Sequence, residues 1–191
     1  MKKPSKKIRV LVSAAGGAGT IEIIRRLREQ GEHWVAAVDA NQFAAGLYLA
    51  DYGEVVPPVT HPAYYRRLGR IIRDFGIQVF VPLIDEELLP AYAFARRRKL
   101  VVILPREEFT RLTLDKYAMV QAFRSADIRC PVTIRPQDIT AKTFSRKLFV
   151  KPNTGRGSRG VMVIAGKKDL QQYFASQLYR PQDVILQEYI E

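Results

Sequence analysis

A glycine-rich segment near the end of the chain has the composition of a phosphate-binding loop. Gly155, Gly157 and Gly160 follow the spacing G-x-G-x-x-G, with apolar runs on both sides of them. Glycine lets a backbone close over phosphates and donate its N–H groups to them. Lys151 ends the run KLFVK that enters this segment, so its ammonium is expected beside the same phosphates. The pattern predicts a hairpin that covers a phosphate-bearing ligand.

Two familiar nucleotide-binding loops do not fit this segment. A P-loop requires Lys followed by Ser or Thr, where Val161 and Met162 stand here. Protein kinases place their lysine on the strand after the loop, whereas Lys151 precedes it, and the chain has no H-R-D or D-F-G sequence. A flexible surface hairpin rich in glycine and arginine remains the alternative.

A second glycine cluster lies between the first apolar run and a helical pattern. Gly17 and Gly19 would present free N–H groups at a helix N-terminus, which suits an anion. Asp39 closes the next strand, as a ribose-binding acid does in a dinucleotide fold. Glu22, however, stands where the third glycine of that fingerprint is required. A tight strand-to-helix turn is the alternative to an anion site.

The elements that carry these loops alternate regularly over the first 105 residues or so. Apolar β-forming runs alternate with amphipathic helical patterns through short connections, which predicts a parallel sheet with helices on both faces. The predicted strands are Ile8–Ser13, Trp34–Asp39, Glu54–Pro57, Gln78–Val81 and Leu100–Leu104, and the predicted helices are Thr20–Gln30, Tyr64–Phe75 and Glu86–Lys99.

The pattern changes after Pro105, which indicates a second, smaller α+β domain. Its predicted helices are Leu114–Ala126 and Lys168–Gln177, and its predicted strands are Lys147–Lys151, Gly160–Ala165 and Val184–Tyr189. We therefore expect domains at residues 1–112 and 113–191.

Composition excludes several classes of protein. The chain has 191 residues, 47% of them hydrophobic, and no apolar run approaches the roughly 20 residues of a membrane span. A single cysteine, Cys130, gives no disulfide framework, so a reducing cytoplasm is expected. The net charge of +12 is spread along the chain without a nucleic-acid motif. Its densest run, residues 96–99, ends a predicted helix, where cations favour the helix dipole, so no nucleic-acid partner is expected.

Six segments occur in an order that resembles the carbamoyl-phosphate-synthase-like branch of the ATP-grasp superfamily. They are SAAGGAGTIEIIRRL, VDANQFAAGLYLAD, VPLIDEEL, LDKYAMVQAFRSADIRCP, FVKPNTGRGSRGV and LQEYIE. The resemblance runs from about residue 8 to the last residue. It implies an α/β fold in which a parallel-sheet pre-ATP-grasp domain precedes the first, lid-bearing α+β subdomain of an ATP-grasp fold.

The resemblance also implies roles for individual residues. Lys116 matches a lysine that contacts ATP phosphates, and Lys151 matches a second one near the α-phosphate and adenine. Adenine would be recognised by the backbone carbonyl of Glu188 and the amide of Ile190. The lid is matched by Gly155, Arg156, Gly157, Ser158 and Gly160.

The activity that the resemblance implies is ATP-dependent ligation of a small carboxylate to an amine through an acyl phosphate, with ATP and Mg²⁺ as cofactors. The metal ligands of this superfamily are expected downstream of QEYIE, so no residue here is assigned to metal. We therefore expect a truncated chain that is inactive alone, part of an enzyme that could be a homo-oligomer.

Substrate contacts are expected at the carboxyl ends of the first-domain strands, where parallel sheets bind ligands. Gly17, Gly19, Glu86 and Glu87 occupy such positions, although the two glutamates also suit the first turn of a helix. Two rival functions remain. One is a nucleotide- or anion-binding module without catalysis, and the other is a dinucleotide-dependent oxidoreductase.

Overall fold

The computed structural model describes residues 7–140, 142–176 and 178–190. These residues divide into two compact units, with the division between Glu107 and Glu108. The predicted basic tail before Lys7, the end of the predicted helix at Gln177 and the terminal Glu191 lie outside the described residues.

The first unit is a five-stranded parallel sheet with helices in the connections. Its strands have the order β3-β2-β1-β4-β5, so the chain reverses direction across the sheet between β1 and β4. The elements are β1 (Ile8–Val12), α1 (Ala18–Glu29), β2 (His33–Asp39), α2 (Ala45–Leu49), β3 (Tyr52–Val55), α3 (Tyr64–Phe75), β4 (Val79–Val81), α4 (Asp85–Arg98) and β5 (Val101–Val102).

Both faces of this sheet are buried, which explains why its central strands are nearly continuous apolar runs. Leu11 packs on one face with α3 and α4, in a cluster that includes Leu68 and Phe94. Val10 and Val12 pack on the other face, in a cluster that includes Ile24 of α1. The α/β class predicted from the sequence is confirmed.

The second unit is built on a four-stranded antiparallel sheet of order β6-β9-β7-β8. Leu148, Val150 and Leu186 form its core together with Tyr173. Its elements are α5 (Glu107–Leu114, which begins at the division), α6 (Lys116–Ser125), β6 (Thr133–Ile134), β7 (Leu148–Pro152), β8 (Met162–Ile164), α7 (Lys167–Ala175) and β9 (Val184–Glu188), with 3₁₀ turns at Pro136–Asp138, Thr143–Ser145 and Pro181–Asp183.

The structure contains helices that the sequence analysis did not predict, α2 and α5. Asp115 separates α5 from α6 because its Oδ1 accepts a hydrogen bond from the Ala118 N–H at 2.8 Å, the geometry of an N-cap. The strand predicted over Gly160–Ala165 is shorter and begins at Met162. Among the described residues, no helix combines the length and the apolar composition that crossing a membrane requires.

Candidate functional site

A cleft of about 430 Å³ in the second unit is bordered by the open face of the sheet, the start of α6 and the glycine-rich loop. Its charged lining residues, within the described part of the chain, are all cationic, and the remaining ones include Phe149, Gln187 and loop residues between Thr154 and Ser158. The cations are Lys116, Lys151, Arg156 and Arg159. The cleft is therefore suited to an anion.

Strand alternation places Lys151 in the cleft. Leu148 and Val150 of β7 point into the core, so Phe149 and Lys151 point to the opposite face. The Lys151 Nζ donates a hydrogen bond to the Gln187 Oε1 at 2.6 Å. Partial burial lowers the pKa of Lys151, and the nearby Lys116 ammonium lowers it further.

Gln187 holds this lysine in place, and the sequence analysis did not select it as a site residue. It lies opposite Phe149 in the antiparallel pairing of β9 with β7. Its Nε2 donates to the Thr133 Oγ1 at 2.9 Å, and that hydroxyl donates to the Pro131 carbonyl at 3.0 Å. This chain of hydrogen bonds turns the amide oxygen toward Lys151. The alternation of side chains between the two faces of a strand, applied to the segment QEYI, was the one feature of the sequence that could have identified Gln187.

Lys116 connects the first turn of α6 to the entrance of the glycine-rich loop. Its Nζ donates to the Gly155 carbonyl at 2.8 Å and to the Asn153 carbonyl at 3.4 Å. Asn153 also accepts the Lys116 N–H at its carbonyl and the Tyr117 N–H at its Oδ1. The structure thus brings Lys116 and Lys151 to one cleft, each by its own element.

The loop over the cleft uses backbone conformations that favour glycine. Gly155, Gly157 and Gly160 have φ values of 102°, 67° and 68°, and Ser158 has a φ of 53°. The Gly160 carbonyl accepts the Tyr173 hydroxyl at 2.7 Å, and a Cβ on Gly160 would lie 2.3 Å from the Tyr179 ring. The far end of the loop is therefore fixed, and only glycine fits there.

Glu188 and Ile190, the residues predicted to recognise adenine, do not line the cleft. The Glu188 carboxylate pairs with Arg146 and accepts the Val132 N–H at 3.3 Å, and both interactions lower its pKa, the backbone one more. Ile190 is exposed. Their predicted contacts to adenine, through backbone atoms, remain predictions.

Gly17 and Gly19 lie at the start of α1, after the carboxyl end of β1. The adjacent Gly16 N–H donates to the Asp39 Oδ2 at 2.8 Å, and the Asn41 N–H donates to the Asp39 Oδ1 at 2.8 Å. Both carboxylate oxygens of Asp39 thus accept backbone hydrogen bonds. This arrangement does not favour the role of a ribose ligand.

The two glutamates of IDEEL differ sharply in environment. Glu86 is exposed in the first turn of α4, whereas the Glu87 side chain is fully buried. The Glu87 carboxylate accepts hydrogen bonds from the Ser13 and Tyr64 hydroxyls, and its Oε1 accepts the Leu83 N–H at 2.8 Å. Burial raises the pKa of Glu87, against the opposing effect of these donors. In this conformation Glu87 ties α4 to the strands, and its buried, hydrogen-bonded carboxylate is not available to a substrate.

A metal site does not assemble among these residues. Within residues 7–140, 142–176 and 178–190, no group of three or more His, Cys, Asp or Glu side chains is placed to hold a metal ion.

Comparisons with known proteins match each unit to a described domain family. Residues 10–103 match the family described as PylC-like, N-terminal domain, and residues 113–191 match the family described as ATP-grasp domain. A search of curated proteins found no matching sequence.

Solved structures share the fold over almost the whole chain. An N5-carboxyaminoimidazole synthetase from Staphylococcus aureus complexed with ADP has a TM-score of 0.72 and 14% identity, covering 99% of this chain and 49% of that one. The biotin carboxylase domain of a 2-oxoglutarate carboxylase from Hydrogenobacter thermophilus, in complex with MgADP, ADP and bicarbonate, has a TM-score of 0.70 and 17% identity, covering 96% and 44%. An L-amino acid ligase from Bacillus licheniformis has a TM-score of 0.70 and 15% identity, covering 97% and 45%.

The chain thus has a PylC-like N-terminal domain followed by part of an ATP-grasp fold. It spans less than half the length of these three solved structures.

Proposed function

We propose that this chain is the ATP-binding portion of an ATP-grasp ligase that joins a small carboxylate to an amine through an acyl phosphate. The observation that carries the proposal is that Lys116, Lys151 and the glycine-rich loop all contribute to one cationic cleft. The ATP-grasp match of residues 113–191 supports the same assignment.

The cleft offers two kinds of donor to a triphosphate. Ammonium groups are compact charges that offset phosphate without demanding one geometry. Lys151 has three N–H donors and gives one to Gln187, so two remain for a ligand. The loop adds backbone N–H groups, and Arg156 and Arg159 add guanidinium groups. Charge stabilisation of this kind, rather than a side-chain nucleophile, is what such a site contributes to phosphoryl transfer.

The residues described here do not fit the Mg²⁺ that the superfamily uses. Mg²⁺ requires oxygen ligands in octahedral geometry, commonly one or two carboxylates with phosphates and waters. The described lining of the cleft contains no carboxylate, and the Glu188 carboxylate is paired with Arg146. We therefore assign no metal ligand and derive no step through the metal.

The proposed substrate contacts are Gly17, Gly19 and Glu86, at the carboxyl ends of the parallel strands, where β1 and β4 mark the reversal of strand order. Ala14, two residues after the end of β1, has a φ of 53°, an uncommon conformation for a residue with a side chain. The same proposal includes the carbamoyl-phosphate-synthase-like branch, which the order of the sequence motifs supports, and domains at residues 1–112 and 113–191. It also includes a cytoplasmic location, which the single cysteine supports, and a homo-oligomeric state.

A nucleotide-binding module without catalysis is a second candidate, favoured by the absence of a carboxylate among the described lining residues of the cleft. An oxidoreductase is disfavoured because Asp39 is engaged by backbone N–H groups.

Calorimetric titration with ATP and with NADH tests these alternatives. The ligase and the module both predict that ATP binds more tightly and that Lys116→Ala weakens it. Tighter binding of NADH would support the oxidoreductase. Carboxylate-dependent positional isotope exchange in ATP, measured on the product of the complete gene, separates the first two: exchange supports an acyl phosphate, and ATP binding without exchange supports the module.

A further inference from the structure

A strongly basic groove on the first unit has no role in the proposed function. It lies between α3 and the end of α4, has a volume of about 600 Å³, and is lined by Arg66, Gly69, Arg70, Ile72, Arg73 and Arg98. Four of these residues carry guanidinium groups, and no acidic residue is among them.

Helical spacing explains the stripe of arginines. Arg66, Arg70 and Arg73 are four and three residues apart, so they share one face of α3, while Leu68 and Ile71 are buried on the other. Arg73 lies 3.5 Å from Asp74, and both side chains are largely exposed. Within the described part of the chain, no carboxylate lies within ion-pair distance of Arg66, Arg70 or Arg98.

Arg98 is held over the groove by two features of the sequence. Its guanidinium carbon lies 4.1 Å from the centroid of the Phe94 ring, within the range of a cation–π contact. A Cβ on Gly69 would lie only 2.9 Å from the Arg98 Nη2. Glycine inside a helix lowers helix stability. Here it leaves the space in which the guanidinium rests, so this arginine is positioned before any ligand arrives.

We propose that this groove binds a small ligand that carries several phosphate groups. Guanidinium groups match phosphate oxygens through paired N–H donors. Arg66, Arg70 and Arg98 have no carboxylate within ion-pair distance in the described part of the chain, so their charges repel one another until an anion binds. A single-stranded nucleic acid fits less well, because such ligands stack their bases on exposed aromatic rings. The Phe94 ring is buried beneath Arg98 instead.

The experiment is an amide NMR titration of the isotope-labelled chain with inorganic tripolyphosphate. The Gly69 amide reports on the groove and the Gly157 amide on the nucleotide cleft, so the two sites are followed separately. We expect the Gly69 signal to shift saturably. The double substitution Arg70→Gln and Arg98→Gln should weaken this binding by about tenfold or more, the effect of losing a charge-assisted contact.

Arg97→Gln is the matched control, because Arg97 is the exposed neighbour of Arg98 on α4 and does not line the groove. It should change the affinity by less than about twofold, as expected for a solvated charge. Lys151→Ala should leave the Gly69 titration unchanged.

Three results would overturn the proposal. One is a Gly69 amide that does not shift in the unmodified chain. Another is an equal loss of affinity in the double variant and in Arg97→Gln, which would mean a diffuse charge effect. The third is a single-stranded RNA oligonucleotide that shifts Gly69 at a lower phosphate concentration than tripolyphosphate does.

Discussion

Replacing Lys151 by methionine removes one ammonium group from the cleft and keeps a long, unbranched side chain in its place. The lost group has one N–H donor engaged by Gln187, which leaves two for phosphate oxygens. A hydrogen bond to a charged group contributes roughly 1.5–3 kcal/mol, so the loss of one such contact should weaken ATP binding by about 10- to 150-fold. Lys116 remains, and binding should be weakened rather than abolished.

The same substitution should stabilise the unliganded protein against unfolding, although it weakens ATP binding. Burial and the Lys116 ammonium lower the pKa of Lys151 below its ordinary value of 10.5, so the folded state disfavours the charged form. The unfolded chain then binds more protons than the folded one between these two pKa values, and wild-type stability rises with pH across that interval. Lys151→Met lacks this dependence. Its advantage in unfolding free energy should be largest at neutral pH and should shrink toward pH 10.5 and above.

Calorimetric ATP titration and urea unfolding at several pH values measure the two effects. Lys147→Met is the control, because Lys147 is an exposed residue directly before β7 and does not line the cleft. An ATP affinity within about twofold of wild type in a folded Lys151→Met protein would refute the assignment of Lys151 to phosphate binding. An equal loss of affinity in Lys147→Met would mean that only net charge matters.

Three further predictions concern buried and strained positions and turnover. Glu87→Leu should lower the unfolding free energy by at least about 3 kcal/mol, since each unsatisfied buried donor costs about 1–3 kcal/mol. Burial raises the pKa of Glu87 above 4.5, so above pH 4.5 the folded wild-type protein holds a proton that the unfolded chain has lost. The unfolding free energy of the wild type, measured with denaturant, should therefore fall toward that of Glu87→Leu as the pH rises from 4.5. Gly160→Ala should lower the unfolding free energy by about 2–5 kcal/mol, because Gly160 has a positive φ and an added Cβ would overlap with Tyr179. Gly155→Ala should lower it by only about 1–2 kcal/mol, because no atom lies near its Cβ. Equal melting temperatures of the two variants would contradict this prediction. With ATP, Mg²⁺ and mixed carboxylates and amines, ADP release by this chain should stay at background, because the described residues assemble no metal site. Turnover at an ordinary ligase rate would mean that this chain does form a metal site.

Local patterns were sufficient to predict the α/β class and much of the first unit. Its central strands are apolar because both faces are covered, and this signal is contained within five or six consecutive residues. Lys151 was also a local prediction, because an apolar strand that ends in lysine before a glycine-rich loop requires neither pairing nor register to be noticed.

Contacts between distant segments could not be predicted in this way. The hydrogen bond from Lys151 to Gln187 depends on the register of two antiparallel strands that lie more than thirty residues apart in the chain. Glu87 stands among acids that suit the exposed first turn of a helix. Only the packing of β1 and α3 against α4 brings Ser13 and Tyr64 to its carboxylate and makes it a buried residue.

Lys116 links ligand binding to the position of the loop. Its ammonium now donates to the Gly155 carbonyl at 2.8 Å, inside the segment that would have to rearrange over a ligand. A phosphate oxygen carries charge and accepts a stronger hydrogen bond than a neutral carbonyl does. We therefore expect a bound triphosphate to compete for Lys116 and release Gly155. The loop is anchored at Asn153 by the Tyr117 N–H and at Gly160 by the Tyr173 hydroxyl. Release at Gly155 would leave the intervening glycine-containing segment free to move between two fixed ends, so that closure follows from binding.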